Sequence, residues 1–340
     1  MCDFNPASRA TYTKPELAKY FERIGLPHSY FASPVFADPL LAHTVEHGLP
    51  LLTALQRYQL CAVPFENLEL HYSPHHTVSL DPNHLYHKIV ERNVGRGGYS
   101  MENSGLLNVV LKSLGYDVVA TGARVNQAVQ PMAAKKDWPG PQYDGWNHMV
   151  NLVTMDGRTF HVDVGFGSSG PTRPVELKDG VQFVNVPPEQ SSRLMRQNIP
   201  DTVSKLRSQE LWVYEVRFSD TGDWTPAYCF GETEFLPSDF TMMNHFMSTS
   251  RRSWFTYHVV CVKMIMSEKA LGEEALGEET SIIGDITLFD REIKKRVKNT
   301  SEVLANLGSE SERVAAMKKI FGIELSSHEK DGIFWTTSAL

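Results

Sequence analysis

The stretch from Asn147 to Gly165, NHMVNLVTMDGRTFHVDVG, constrains the fold of this chain more than any other. Apolar and polar residues alternate on both sides of Asp156-Gly157, and Asp-Gly is a strong signal for a two-residue hairpin turn. With those two residues at the turn, Met155 faces Arg158, Val150 faces Asp163 and His148 faces Gly165. Side chains alternate with a period of two, so His148, Val150, Asp163 and Gly165 share one face. His148 and Asp163 are then diagonal cross-strand neighbours, about 7–8 Å apart at the backbone. An aspartate so placed fixes the tautomer of a histidine and stabilises its imidazolium. His161 lies on the same face nearer the turn and is a rival partner. The pattern equally suits an exposed polar stripe on a half-solvated hairpin, and register alone leaves both readings open.

Around this hairpin the hydrophobic period changes along the chain. Residues 14 to 95 read mostly as helix. KPELAKYFERIGL carries Pro15 in its first turn, then Leu17, Tyr20, Phe21 and Ile24 at helical spacing, and ends at Gly25. PLLAHTVEHGLPLLTALQRYQLCAVPFENL holds at least one more helix, broken near Gly48-Leu49-Pro50, and DPNHLYHKIVERN is a third, with Asp81 as cap. From about residue 116 strands follow: DVVATGARV, the hairpin and LWVYEVRF. The Pro/Gln/Ser-rich stretch near 186–201 reads as a loop or insertion. The last third mixes strands with a closing helix, SERVAAMKKIFGIEL, and LGEEALGEE at 271–279 reads as an acidic surface turn. The class is α+β, with expected units at 1–95, 96–225 and 226–340.

Between the helical and β-rich parts lies RGGYSMEN, Arg96 to Asn103, with a helical pattern following at once. A residue at a helix N-terminus meets unsatisfied N–H groups and the positive end of the macrodipole. A cysteine there loses its proton readily, more so beside a histidine, and the same N–H groups can form an oxyanion hole. Gly97 and Gly98 allow a sharp turn and close approach of a substrate. Ser100 in that place reads either as the nucleophile position or as an ordinary N-cap, which serine favours.

The bulk properties exclude several classes. At 340 residues the chain exceeds one small core, and a formal charge of −7 argues against nucleic acid as the main partner. The four cysteines, Cys2, Cys61, Cys229 and Cys261, are too scattered for a disulfide scaffold or structural zinc and suit a reducing, cytoplasmic setting. No metal site is expected, since the adjacent His75 and His76 lack partners at ligand spacing. No apolar run of about 18 residues suggests a membrane span. Gly165-Phe166-Gly167-Ser168-Ser169-Gly170 matches G-x-G-x-x-G, but Pro171, Arg173 and Pro174 follow in place of a helix, so it reads as a wide turn leaving a strand.

Several motifs, taken in order, resemble those of the arylamine N-acetyltransferases: VPFENLEL (63–70), GRGGYSMEN, GWNHMVNLV, HVDVGFG, FTMMNHFMSTS with the aromatic strand after it and, more weakly, KKIFGIEL. The resemblance covers roughly residues 15–335. It implies a helical bundle, a β-barrel and an α/β lid, with a core like that of papain-like cysteine proteases. It also implies a triad of Ser100, His148 and Asp163, where the family has cysteine at the first position. The family's chemistry is ping-pong: the cysteine takes an acyl group from acyl coenzyme A, and an arylamine or hydrazine nitrogen then removes it. By position, Glu66, Asn67 and Arg96 support the site. Phe65, Phe166 and Ser168 shape the acceptor pocket, and Gly145, Asn244, Ser248 and Thr249 lie near coenzyme A. The implied partners are acyl coenzyme A (acetyl or malonyl) as donor substrate and small aromatic amines, with no tightly bound cofactor, in a monomer or weak homo-oligomer.

Two departures bear on function. An alkanol ionises several units above a thiol, whose ordinary pKa is about 8.5. Ser100 therefore implies a disabled or strongly impaired nucleophile. Arg251-Arg252 follow FMSTS where the family often has a proline and a small residue. Two arginines there suit phosphates, or the free carboxylate of a malonyl group. The alternatives are a papain-like hydrolase with water as acceptor, and a catalytically dead protein that binds acyl coenzyme A or arylamines.

Overall fold

The computed structural model describes residues 9–129, 140–188, 190–267, 282–298, 300–334 and 336–340. The repeat at 271–279 lies outside them. Helix α1 (Lys14–Ile24) buries Leu17, Tyr20, Phe21 and Ile24 and ends on Gly25 in the left-handed conformation, as its spacing predicts. Helix α2 (Val45–Ala62) is continuous through Pro50, against the expected break. The missing hydrogen bond falls one turn from its start, and burial of Leu51, Leu52 and Leu55 offsets the proline's cost of about 3 kcal/mol. Strand β1 (Phe65–Glu66) and short helix α3 (Glu69–Tyr72) follow. Helix α4 (Pro82–Tyr86) is capped by Asp81, whose side chain accepts from the amides of Asn83 and His84, and helix α5 spans Ser100–Ser113.

Eight antiparallel strands form one sheet: β2 (Asp117–Val125), β3 (His148–Met155), β4 (Arg158–Val162), β5 (Val175–Glu176), β6 (Gln182–Val186), β7 (Gln190–Gln197), β8 (Leu211–Arg217) and β9 (Thr225–Phe230). Their order is β5-β4-β3-β2-β9-β8-β7-β6. The sheet curls around one core, because Val175 near one edge and Phe183 near the other pack into the same cluster as Val150, Leu152, Tyr214 and Tyr228. Strand β7 lies in the stretch read as a loop. It pairs with β6 and β8, and its buried positions, Gln190, Ser192 and Leu194, alternate. Two of them are polar, which hides the period from the sequence; the Ser192 hydroxyl is satisfied by the Tyr214 hydroxyl at 2.7 Å.

The hairpin register is the expected one, with Met155 opposite Arg158 and Asn151 opposite Val162. Its turn places Asp156 at φ +48° and Gly157 at φ +71°, the left-handed pair that a two-residue hairpin requires. The hairpin is not half-solvated. Val153, Met155, Phe160 and Val162 belong to the core that α2 and α5 share with the hairpin, while Val150 and Leu152 face the interior of the curled sheet.

A second sheet contains β1, β10 (Val260–Met266), β11 (Ile282–Phe289), β12 (Glu292–Val297) and β13 (Thr300–Asn306), in that order. Helix α6 (Pro237–Thr249) packs on one face through Phe240, Met243 and Met247. Helix α7 (Glu310–Ala316), a π-turn over Met317–Phe321 and the chain after it, including α8 (Ser327–Asp331), cover the other through Met317, Phe321, Ile323 and Ile333. The expected boundaries at 95 and 225 are crossed here: β1 pairs into the C-terminal sheet, and β9, which starts at Thr225 and runs past the second boundary, pairs with β2 and β8 in the first sheet.

Candidate active site

Ser100 is the first residue of α5 and not its cap. Tyr99 holds the cap position in an extended conformation, and Glu102 accepts from the Tyr99 amide at 3.0 Å. The serine side chain is therefore released from capping. Gly97 is needed for a close approach, since a Cβ there would lie 1.9 Å from the Pro64 carbonyl oxygen. The Glu66 amide donates to the Gly98 carbonyl at 3.0 Å, which ties the loop to β1.

His148 begins β3, and Asp163 follows the last residue of β4. The His148 Nε2–H donates to Asp163 Oδ2 at 2.8 Å, and both residues are buried. Asp163 Oδ1 accepts from the Gly165 amide at 2.8 Å. The Tyr228 hydroxyl donates to Asp163 Oδ2 at 2.9 Å and lies 3.0 Å from His161 Nε2. One hydroxyl proton serves one acceptor, and the carboxylate is the stronger one. His161 therefore donates its Nε2–H to Tyr228 and leaves Nδ1 without a partner. His161 is thus held one hydroxyl away from Asp163, and the rival pairing is not formed. Burial alone would raise the pKa of Asp163, but the His148 imidazole, the His161 ring and the Gly165 amide outweigh it and hold the carboxyl below its usual range. Burial takes His161 down to about 4, so it is neutral.

With Nε2 committed to Asp163, Nδ1 is the other ring nitrogen of His148. His148 and Ser100 line the same cleft, of about 670 Å³. Gly165 locks the two sides together, because a Cβ on it would sit 2.6 Å from Ser100 Cα and 2.8 Å from the Ser100 carbonyl oxygen. Phe65, Phe166 and Ser168 line the cleft, and the Phe166 ring lies 5.2 Å from His148 and 4.5 Å from Tyr228. Gly145 and Arg252 also line it. Arg252 is exposed, is the one lysine or arginine among the described lining residues, and its guanidinium makes no hydrogen bond or ion pair to a described residue. Arg251 does not line the cleft.

Three residues placed near coenzyme A by the motif are engaged elsewhere. Asn244 is buried, accepts from the Tyr99 hydroxyl and donates to the Val78 carbonyl at 2.8 Å. The hydroxyls of Ser248 and Thr249 donate to carbonyls of their own helix, at 2.7 and 2.5 Å. Behind the Gly97–Ser100 loop, Arg96 donates to Glu66 at 2.9 Å and to Glu69 at 3.0 Å. Asn67 donates to the carbonyls of Phe255 and His258 and accepts from the Val260 amide, which fixes β1 against β10. Lys88, buried beneath them, donates to Glu102 at 2.7 Å. Burial would raise the Glu66 carboxyl, yet Arg96 and Lys88 hold it down to about 2; in Glu102 burial prevails and raises it to about 7.

Sequence reasoning missed Tyr228, Lys88 and Glu102. Tyr228 is far from Asp163 in the chain, on β9, which is not among the strands expected from the sequence. The alternation in AYCF next to LWVYEVRF was the available signal. Among the described residues no group of three histidine, cysteine, aspartate or glutamate residues is arranged to hold a metal ion, and no described helix is long and apolar enough to cross a membrane.

Ser100 on a helix N-terminus and the buried His148–Asp163 pair line one cleft between two sheets, in a fold with a papain-like core. A family model described as N-acetyltransferase matches residues 48–330. N-malonyltransferase FDB2 of Fusarium pseudograminearum is 43% identical over 328 residues, covering 95% of this chain and 92% of that protein. Human arylamine N-acetyltransferase 1 is 28% identical over 269 residues, covering 74% and 86%. The crystal structure of the Nocardia farcinica arylamine N-acetyltransferase superposes with a TM-score of 0.71 at 26% identity, covering 97% of each chain. The chain belongs to the arylamine N-acetyltransferase family of acyltransferases.

Proposed function

We propose that the protein is an N-acyltransferase working by a ping-pong cycle on acyl coenzyme A and an arylamine or hydrazine, with malonyl favoured over acetyl as the acyl group. The observation that carries the reading is the buried His148–Asp163 bond of 2.8 Å beside Ser100 on one cleft. In the cycle His148 takes the proton of the residue-100 nucleophile as it attacks the thioester carbonyl, then returns it to the departing coenzyme A thiolate. The amine attacks the acyl-enzyme, the bond from the acyl carbon to residue 100 breaks as the amide leaves, and His148 passes the proton it takes from the amine to the freed residue-100 atom. The first amides of α5 face the developing oxyanion. Asp163 holds the imidazole in place, and Glu66, Asn67 and Arg96 support the nucleophile loop.

The malonyl preference is supported by the relative's name and by Arg252, a cation on the cleft with no described partner, which suits a free carboxylate. Replacing Arg251 and Arg252 with proline and serine is expected to lower the malonyl-to-acetyl rate ratio; an unchanged ratio removes this part. Ser100 impairs the first step, because an oxygen nucleophile ionises far less readily than a thiol and its ester is the poorer acyl donor. The test is release of free coenzyme A from each donor, with and without an arylamine, by the Ser100 chain and by Ser100→Cys. Turnover by the cysteine form alone supports the reading, and turnover by both makes serine the working nucleophile. Ser100 itself favours a second reading, a protein that only binds acyl coenzyme A or arylamines; no turnover by either form, with binding retained in calorimetry, would establish it.

A further inference from the structure

Glu329 lies in α8, near the end of the chain, yet its carboxylate reaches the nucleophile loop. Its Oε1 accepts from Arg96 Nη1 at 3.1 Å, 233 residues away in sequence. The same carboxylate takes the fork of Arg92, Nη1 to Oε1 and Nη2 to Oε2, both at 3.1 Å. Arg96 is 1% exposed and donates on three sides: Nε to Glu66, Nη2 to Glu69 and Nη1 to Glu329. Two of those carboxylates come from the segment around β1; the third comes only from the C-terminus. A second tie runs alongside, from the Glu324 amide to the Val94 carbonyl at 2.9 Å.

The consequence runs from Arg96 to residue 100. Arg96 orients Glu66, whose Oε1 also accepts from the Gly97 amide at 3.2 Å, and the Gly98 carbonyl accepts from the Glu66 amide. These bonds set the path of Gly97-Gly98-Tyr99, and so the place of the Ser100 side chain. Without Glu329 the buried Nη1 has no acceptor, and the guanidinium must tilt to find one. A buried charged donor left unsatisfied costs more than the bond it loses. The least costly relief is a shift of the loop that carries it.

We infer that Glu329 is a positioning residue for the nucleophile: the C-terminal helix is a working part of the acyl site and acts through Arg96 without touching the substrate. The inference rests on the acyl-transfer reading and is tested in the Ser100→Cys chain. Glu329→Gln and Glu329→Ala are compared with Glu324→Gln, a control whose carboxylate pairs with Lys318 on the surface. Three quantities are read per folded molecule: the burst of coenzyme A that reports acylation, the donor KM, and the rate at which iodoacetamide alkylates the thiol introduced at position 100, which needs no acyl donor. Expected for both Glu329 variants is slower acylation and alkylation, by between about tenfold and a hundredfold, with KM unchanged. The control should match its parent. If the Glu329 variants lose stability but keep the parent's acylation and alkylation rates, α8 is only structural and the inference is overturned. If the Ser100→Cys parent gives no burst, the acyl-transfer reading fails by itself, and the alkylation rates still decide the role of Glu329.

Discussion

Gly165→Ala is the sharpest test of how the site is assembled. A Cβ at residue 165 would stand 2.6 Å from Ser100 Cα and 2.8 Å from its carbonyl oxygen. Ordinary van der Waals contact is longer by about 1 Å, so the start of α5 and the end of β4 must separate by that much. Backbone conformation is not at issue, because Gly165 is not among the glycines with positive φ. Overpacking of this kind costs about 1–3 kcal/mol. The larger effect is on geometry. Ser100 is pushed from His148 while Asp163, two residues before Gly165, is dragged from its bonds to His148 and Tyr228. A displacement of about 1 Å costs about a hundredfold in rate. The assay is the acylation burst of the Ser100→Cys chain with and without Gly165→Ala, beside urea unfolding of both. Gly105→Ala, on the same helix, is the control. Its Cβ would meet only Leu85 Cδ1 at 3.5 Å, so it should gain up to about 1 kcal/mol with no change in acylation. An unchanged acylation rate in Gly165→Ala would refute the claim that this contact sets the distance between nucleophile and base.

Two further outcomes are expected. Burial lowers the pKa of His71 and His161 from 6.5 to about 4, so the unfolded chain takes up their protons first as pH falls. Their stabilising contribution is complete above about pH 6.5 and is lost on the way down to about 4, roughly 3 kcal/mol for each. Thermal melts across that range should show a slope that His161→Gln makes shallower; an unaltered slope would mean that His161 is not buried neutral. Tyr228→Phe removes a donor from Asp163 and leaves His161 Nε2–H unpaired, at a cost of about 1–3 kcal/mol. Acylation by the Ser100→Cys form should slow as well, and an unchanged pH–rate profile would place Tyr228 outside the network that holds Asp163.

The local elements and one cross-strand pairing follow from the order of residues. The Asp-Gly turn fixed the hairpin register, and alternation then put His148 and Asp163 on one face, because a two-residue turn leaves no freedom to slip. The motif around Gly97 and Gly98 likewise placed residue 100 at a helix start. Where local signals conflicted with packing, packing decided. Pro50 stays inside α2 because its apolar face is buried, and Gln190 and Ser192 form strand because the sheet supplies partners on both sides. Tertiary structure alone decided which polar groups meet. Tyr228 reaches Asp163 from another strand, Asn244 serves Tyr99, and Glu329 serves Arg96 from the far end of the chain. No periodicity reports such contacts. A buried charge is tolerated only where the fold brings its partner, and that partner is chosen by the path of the chain in space and not by its spacing in sequence.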